Sequence, residues 1–229
     1  TNAKALNTEG KDQATVTAFT NAITEAERVK ALSSPLKAEV DAAFDTLNNL
    51  HVQLGGEAAK KDIETFTITF AGGNAHEYTG TEIKPEVIVM DGETPLTADD
   101  FTVEYAKDSS SVGDKTVTIK AAADSTKYEG STTKTYKITA RRLTEANTEI
   151  TLTMPENIVA GTQVKPEVAV KVTIADGNIK TLTKDTDYTV VYGENNTSGT
   201  DAGSVTITGK GNYAGSIEKK FDIAASSAD

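Results

Sequence analysis

The chain has 229 residues, 23 basic and 34 acidic side chains, a net charge of -11, and neither cysteine nor tryptophan. The lack of cysteine excludes disulfides, thiolate metal sites and cysteine nucleophiles. The acidic balance, without any cluster of Lys and Arg, argues against nucleic acid as a partner. No apolar run approaches the about 20 residues that a membrane helix needs, so we expect a soluble chain without a membrane span.

Residues 1–61 carry a helical pattern, because apolar residues between Lys11 and Leu54 recur every three or four positions. The first helix is predicted to begin after Asp12 as N-cap. The second is predicted to have Ser34 as N-cap and Pro35 at its first position, and to stop at Gly55-Gly56. The two apolar faces are Val16, Phe19, Ile23, Ala26 and Val29 in the first helix, and Leu36, Val40, Phe44, Leu47, Leu50 and Leu54 in the second. Such a hairpin would be closed by a third helix, of which Ala3 and Leu6 would be the end.

Residues 62–140 and 141–229 repeat one another, with a period of roughly 85 residues that fits a whole small domain. The clearest match sets Tyr78–Val89 against Val159–Val170. Further matches are Asp100–Tyr105 with Asp187–Tyr192, Val117–Ile119 with Val205–Ile207, Lys127–Gly130 with Asn212–Gly215, and Tyr136–Ile138 with Phe221–Ile223.

Each repeat reads as short alternating strands with turn residues every eight to twelve positions or so, which is typical of a β-sandwich. The opening strands are predicted at Phe66-Ile68-Phe70 and at Ile150-Leu152-Met154. Pro85 and Pro166 are expected at a strand start or edge, and Asp91-Gly92 and Asp176-Gly177 at turns. The predicted fold is therefore mainly β with an N-terminal α segment: a helical module over 1–61, then two tandem sandwiches over 62–140 and 141–229.

The repeated pattern Tyr78-Thr79-Gly80, Lys84-Pro85-Glu86-Val87 and Asp100–Tyr105, with Thr208–Gly215 in the second copy, resembles tandem bacterial immunoglobulin-like repeats of large Gram-positive-type surface proteins. The stretch with Phe19, Ala22, Ile23 and Ala26, followed by Val40–Ala43 and Leu47, is similar to the FIVAR three-helix module of secreted adhesins and glycan-degrading enzymes. Neither family has a shared catalytic site. The resemblance implies spacer, display and adhesion roles outside the cell.

No catalytic or cofactor-binding residue is predicted, and the chain is not expected to be an enzyme. Gly209–Gly215 superficially matches a phosphate loop, but a β pattern follows it where a nucleotide site needs a helix. His51 is expected late in a helix and His76 in a loop, in different predicted domains, with no Ser or carboxylate tied to either by spacing. We expect both histidines to be solvated or at the edge of a core.

Three other groups of residues allow both a functional and a structural interpretation. Asp99-Asp100 and Asp185-Thr186-Asp187 are weak calcium candidates, for which turn capping is favoured. Tyr78, Tyr105, Tyr128, Tyr192 and Tyr213 could form a sugar-stacking platform, but are favoured as buried tyrosines with hydroxyls bonded to backbone. Lys84, Lys165 and Asn212 could form a covalent amide, but are favoured as solvated side chains.

The favoured function is a non-catalytic spacer in a bacterial cell-surface or secreted protein, attached to the cell wall or released. About three residues separate Ile138 from the next domain, so we expect a semi-rigid, monomeric rod and a processed segment of something longer. The alternatives are an adhesion module for a host glycan or protein, and the accessory region of a surface glycosidase.

Overall fold

The computed structural model describes residues 2–159 and 161–225. The protein is mainly β, with two N-terminal helices followed by several small sheets. The predicted fold class, an α segment followed by β-sandwich domains, is confirmed at this level. In the described part, no helix combines the length and the apolar character that a bilayer crossing requires.

The helical segment contains α1 (Gln13–Lys30) and α2 (Lys37–Gln53). Asp12 is the N-cap of α1, as predicted, and its carboxylate accepts a hydrogen bond from the Thr15 amide at 2.8 Å. The helices pack antiparallel, with Phe19 of α1 stacked on His51 of α2 at 6.0 Å between ring centroids. The predicted end of a third helix at Ala3 is instead a single 3-10 turn, Asn2–Ala5.

The start of α2 differs from the prediction. The N-cap is Leu36, not Ser34, and its amide donates to Oε2 of Glu39 at 3.0 Å. A glutamate at the third helical position can satisfy the orphan N–H of the cap residue, so a Ser cap is not needed. Leu36 is 68% and Val40 43% exposed, so the expected apolar face of α2 is wrong over its first turn.

Within the described residues, seventeen strands follow the helices. Their bounds are β1 (Lys61–Asp62), β2 (Thr67–Phe70), β3 (Ala75–Glu77), β4 (Val87–Asp91), β5 (Thr94–Pro95), β6 (Phe101–Tyr105), β7 (Gly113–Ala121), β8 (Tyr128–Glu129), β9 (Ser131–Thr139), β10 (Arg141–Arg142), β11 (Thr148–Thr153), β12 (Glu167–Thr173), β13 (Ile179–Thr181), β14 (Tyr188–Tyr192), β15 (Gly199–Gly209), β16 (Tyr213–Ala214) and β17 (Ser216–Ile223). The opening strands and the Asp91-Gly92 turn are where the sequence predicts them, although Phe66 lies just before β2 and Met154 just beyond β11.

The larger sheets have the orders β2-β4-β5, β3-β9-β7-β6, β11-β12-β13 and β14-β15-β17. Internal contacts divide the chain into two compact units. The first comprises Thr1–Ala71, Glu86–Glu104 and Val117–Lys134, and the second comprises Gly72–Pro85, Tyr105–Thr116 and Thr135–Asp229. The first unit is centred on Ile63, Val89 and Ile119, and the second on Val170 and Ile207, all almost fully buried. The three-domain division stays a prediction.

Two loops of the second unit show that the repeat holds in hydrogen-bond geometry as well as in sequence. The Ile83 amide donates to the Ser109 carbonyl at 2.8 Å, and the Val164 amide donates to the Asn195 carbonyl at the same distance. The Tyr105 hydroxyl donates to the Pro85 carbonyl, and Tyr192 bonds Pro166 in the same way. The two loops are therefore built on one scaffold.

One difference between the copies is compensated within the second copy. In the first, the buried Tyr136 donates its hydroxyl to the Ile83 carbonyl. Phe221 occupies the matching position in the second copy and has no hydroxyl. There the Nδ2 of Asn195, which is 4% exposed, donates to the Val164 carbonyl at 3.1 Å. The equivalent carbonyl thus accepts a hydrogen bond in both copies, from a different side chain in each. A buried acceptor without a partner would lower the free energy of unfolding.

Candidate functional site

Two of the four calcium candidates, Asp100 and Asp187, act as turn caps. Asp100 accepts hydrogen bonds from the amide and the hydroxyl of Thr97, both at 2.8 Å, and the backbone bond is the main cause that lowers the pKa of this carboxyl. Asp187 accepts from the Thr183 amide at 2.9 Å. Asp185 has a left-handed backbone, with a φ of 65°, as a turn residue does. Across residues 2–159 and 161–225, no three His, Asp or Glu side chains are grouped so as to hold a metal ion. Asp99 lies in the turn just before β6.

The two histidines lie in different settings. His51 is in α2, and its Nδ1 is 3.0 Å from the Glu57 carbonyl oxygen. His76 lies in strand β3, not in a loop as expected, because Ala75–Glu77 pairs parallel with Lys137–Thr139 of β9. Its ring packs edge-on against Tyr136, and its Nε2 is buried without a hydrogen-bond partner in the described part of the chain.

The glycine-rich stretch Gly209–Gly215 is a turn, as favoured. It connects β15 to β16 with left-handed glycines at 211 and 215, and strand β17 follows it. A phosphate site of the fingerprint type needs a helix N-terminus at this point, and the chain continues as β structure here.

None of the five tyrosines considered for a sugar platform is exposed. Tyr105 and Tyr192 are structural, as predicted, since each donates its hydroxyl to a proline carbonyl. Tyr128 packs edge-on against Phe66 at 5.5 Å. Tyr78 and Tyr213 are 4% and 2% exposed, so their faces are closed to a sugar ring.

The covalent-amide candidates are engaged separately. Lys84 pairs with Glu82 at 2.7 Å, and the Oδ1 of Asn212 accepts from the Val112 amide. Sequence reasoning missed Lys115, whose nearly buried ammonium lies 3.2 Å from the Asp108 carboxylate. Hydrogen bonds, first from Ser111, hold the pKa of Asp108 far below its usual range. An ionised carboxylate that faces an ammonium forms an ion pair, whereas an amide needs a neutral amine.

The more informative features are the two segments at the predicted domain boundaries, β1 and β10, which we call the linkers and which are themselves strands. The linker β1 pairs parallel with β8, with Lys61 opposite Tyr128. The linker β10 pairs parallel with β16, with Arg141 opposite Tyr213. Each linker is thus hydrogen-bonded into the β structure that follows it, at the same place in both repeats. Backbone pairing of this kind removes the torsional freedom that a solvated linker keeps.

The first linker is held by charge, through contacts we call the Lys61 junction. The ammonium of Lys61 lies 2.9 Å from the Asp91 carboxylate in β4 and 3.1 Å from the Asp45 carboxylate in α2. It also sits 5.6 Å from the centre of the Phe44 ring. Burial alone would lower the pKa of Lys61, but hydrogen bonds to the two aspartates outweigh that effect and raise it. Lys61 therefore forms ion pairs with both helix α2 and strand β4.

The second linker is flanked by an aromatic contact, which we call the Tyr–Lys junction. Tyr78 and Tyr213 pack edge-on with 5.5 Å between centroids. The Lys180 ammonium donates to the Tyr78 hydroxyl at 3.0 Å and lies 5.5 Å and 5.9 Å from the two ring centres. The hydrogen bond to Tyr78 is the main cause that raises the pKa of Lys180. Burial raises the pKa of Tyr213 to about 12.

Further contacts surround the Tyr–Lys junction. Arg141 pairs with Glu77 at 2.8 Å, and its Nε donates to the Thr173 carbonyl at 3.2 Å. The Val112 amide donates to Asn212 Oδ1 at 2.9 Å across a sequence separation of 100 residues. These groups come from five separate stretches of the second unit, so spacing along the sequence could not have gathered them.

No family model matches the chain, and no curated protein matches it.

Proposed function

We propose that this chain is a non-catalytic spacer segment of a bacterial cell-surface or secreted protein, and that it holds an adhesive or catalytic domain away from the cell wall. The observation that carries the proposal is the pairing of both linkers as strands. A spacer must resist bending where its modules meet, and backbone pairing reinforced by buried side chains supplies that resistance.

The chemistry of the described residues supports the same role. The shifted pKa values of Asp100, Asp108, Lys61 and Lys180 are explained by turn capping, by ion pairs and by the two junctions, whereas a catalytic site gathers such groups in a cleft. The tyrosines that sequence reasoning weighed as a sugar platform serve packing.

Distance measurements between paired spin labels test the proposal, since the chain has no cysteine of its own. One label pair, Lys137→Cys with Lys220→Cys, spans the second linker from exposed sites on β9 and β17. The control pair, Lys171→Cys with Lys220→Cys, lies entirely beyond that linker. We expect distance distributions of equal width for the two pairs. A clearly broader distribution for the first pair would contradict the spacer proposal.

A second candidate is adhesion, favoured by a groove in the first unit. A cavity of about 360 Å³ lies between α2 and the neighbouring β structure, with Val40, Phe44 and Phe66 among its walls. Charged side chains such as Lys37 and Asp41 form other walls, and a groove of this size with apolar and charged walls suits a peptide or sugar side group. A screen of immobilised host glycans and proteins, with Val40→Asp as the matched variant, would show binding that this substitution abolishes.

A further inference from the structure

The two equivalent loops of the second unit differ in what covers them. Residues 78–85 and 159–166 share the same proline contact and the same inward backbone bond, described above. Gly80 and Gly161 are both left-handed, with φ of 85° and 74°. Tyr78 therefore corresponds to Val159 in structure as well as in sequence.

The first loop is covered by the second repeat. Tyr78 is 4% exposed because Tyr213 and Lys180 pack on it. A Cβ placed on Gly80 would come within 2.8 Å of the Ile174 Cδ1. Both the side chain and the backbone of this loop are thus in contact with residues that follow the linker.

The second loop is open. Val159 is 60% exposed, and a Cβ placed on Gly161 would meet no described atom within 4 Å. Beside it lies a cavity of about 230 Å³, whose walls include Ile158, Val164 and Ile223. Polar side chains line the cavity as well, so the result is an open surface of mixed character at the position that the first copy keeps buried.

We propose that the surface formed by Ile158, Val159 and Gly161 is a docking face for a further β module built like residues 141–225. The occupant would place its equivalents of Tyr213 and Ile174 on Val159 and Gly161. The internal junction argues for this occupant, because the same scaffold already receives such a module once in the chain. A second copy of this chain cannot serve, since its own Tyr213 is covered by its Tyr78.

Thiol labelling of a lengthened chain tests the proposal. In the lengthened chain, a copy of residues 141–225 follows Ala225 directly, as Arg141 follows Ala140. A single Val159→Cys is placed in the original repeat of both the natural-length and the lengthened chain. We expect this thiol to react at least about tenfold more slowly in the lengthened chain, as for a group that becomes buried.

Two controls keep the result specific. Val191→Cys, at an exposed site on β14, is expected to react equally fast in both chains. Replacing the tyrosine of the added copy that corresponds to Tyr213 by alanine is expected to restore fast labelling at position 159. Unchanged labelling of Val159→Cys in the lengthened chain overturns the proposal, whether the added copy folds or not. Protection that depends on the concentration of the natural-length chain overturns it too, because the occupant would then be a second copy.

This inference extends the spacer role but is tested separately. The spin-label experiment concerns the junction inside the chain, and the labelling experiment concerns the open face. Each result can fail without the other.

Discussion

The two linkers use one backbone arrangement with two kinds of side-chain contact. β1 and β10 are both two-residue parallel strands, and each faces a tyrosine. At the Lys61 junction the lysine pairs with two carboxylates, one of them 55% exposed. At the Tyr–Lys junction the lysine contacts two almost fully buried tyrosines.

The two junctions should respond differently to ionic strength. Ion pairs open to solvent weaken as salt screens them. Edge-on aromatic packing and the burial of tyrosine rings depend little on ionic strength. We therefore expect high salt to weaken the contacts of the Lys61 junction and to leave those of the Tyr–Lys junction largely unchanged.

The largest effect is expected from Tyr213→Ala. It removes a ring that is 2% exposed, and truncation of a buried aromatic to alanine costs about 3–5 kcal/mol. Tyr128→Ala, at the corresponding half-buried position, should cost clearly less. Urea unfolding of both variants measures the difference in the free energy of unfolding. Equal losses would show that the two junctions do not differ in burial.

The second largest effect is expected from alkaline pH, which should weaken the Tyr–Lys junction. Burial raises the pKa of Tyr213 to about 12, so the folded state holds the phenol proton more tightly than the unfolded state. The stabilisation is complete below about pH 10 and is lost as pH rises through about 12, with an expected change of about 2 kcal/mol. Unfolding at pH 9 and pH 12 measures it.

Tyr213→Phe is the control for this pH effect. It lacks the titrating hydroxyl and should lose less stability over the same interval. The same loss in the variant would assign the pH effect to other groups.

A smaller effect on stability is expected from replacing either junction lysine, and the two replacements should differ in their dependence on salt. Lys61→Met leaves the Asp91 carboxylate, whose side chain is 12% exposed, without its ammonium partner, at a cost of about 1–2 kcal/mol in low salt. In 1 M salt the part of this cost that comes from the exposed Asp45 carboxylate should shrink, because the screening length falls to about 3 Å. Lys180→Met should cost about 1 kcal/mol in either condition, because its partners are neutral rings. Unfolding midpoints at the two salt concentrations decide the comparison.

The smallest effect is expected from Tyr213→Phe at neutral pH. The Tyr213 hydroxyl is buried without a hydrogen-bond partner among the described residues, so its removal should change stability by less than about 0.5 kcal/mol or raise it. Tyr188→Phe is the matched control. It removes a hydroxyl that donates to the Val168 carbonyl at 2.9 Å and should cost about 1 kcal/mol. A loss for Tyr213→Phe as large as that for Tyr188→Phe would reveal a partner for its hydroxyl.

Much of the local structure is readable from the sequence. Period-two alternation predicts strands such as Phe66–Phe70, and Asp12 predicts the start of α1, because these signals act between near neighbours. The start of α2 was mispredicted because Glu39 satisfies the cap amide, and a Ser-Pro pair is a weaker signal than that reciprocal bond. His76 was mispredicted because three residues of parallel pairing leave little pattern in the sequence.

Local sequence signals account for the duplicated β units, their turns and the helical hairpin. Each depends on residue periodicity and on conformational preferences that are fixed within a few positions. Two other contacts exist only in the folded chain. Lys180 donates to Tyr78 across 102 residues, and Asn195 donates to the carbonyl equivalent to the one that accepts from Tyr136 in the other copy. Such contacts arise because buried polar groups must find partners in space. Sequence spacing does not show which distant side chain will be in reach.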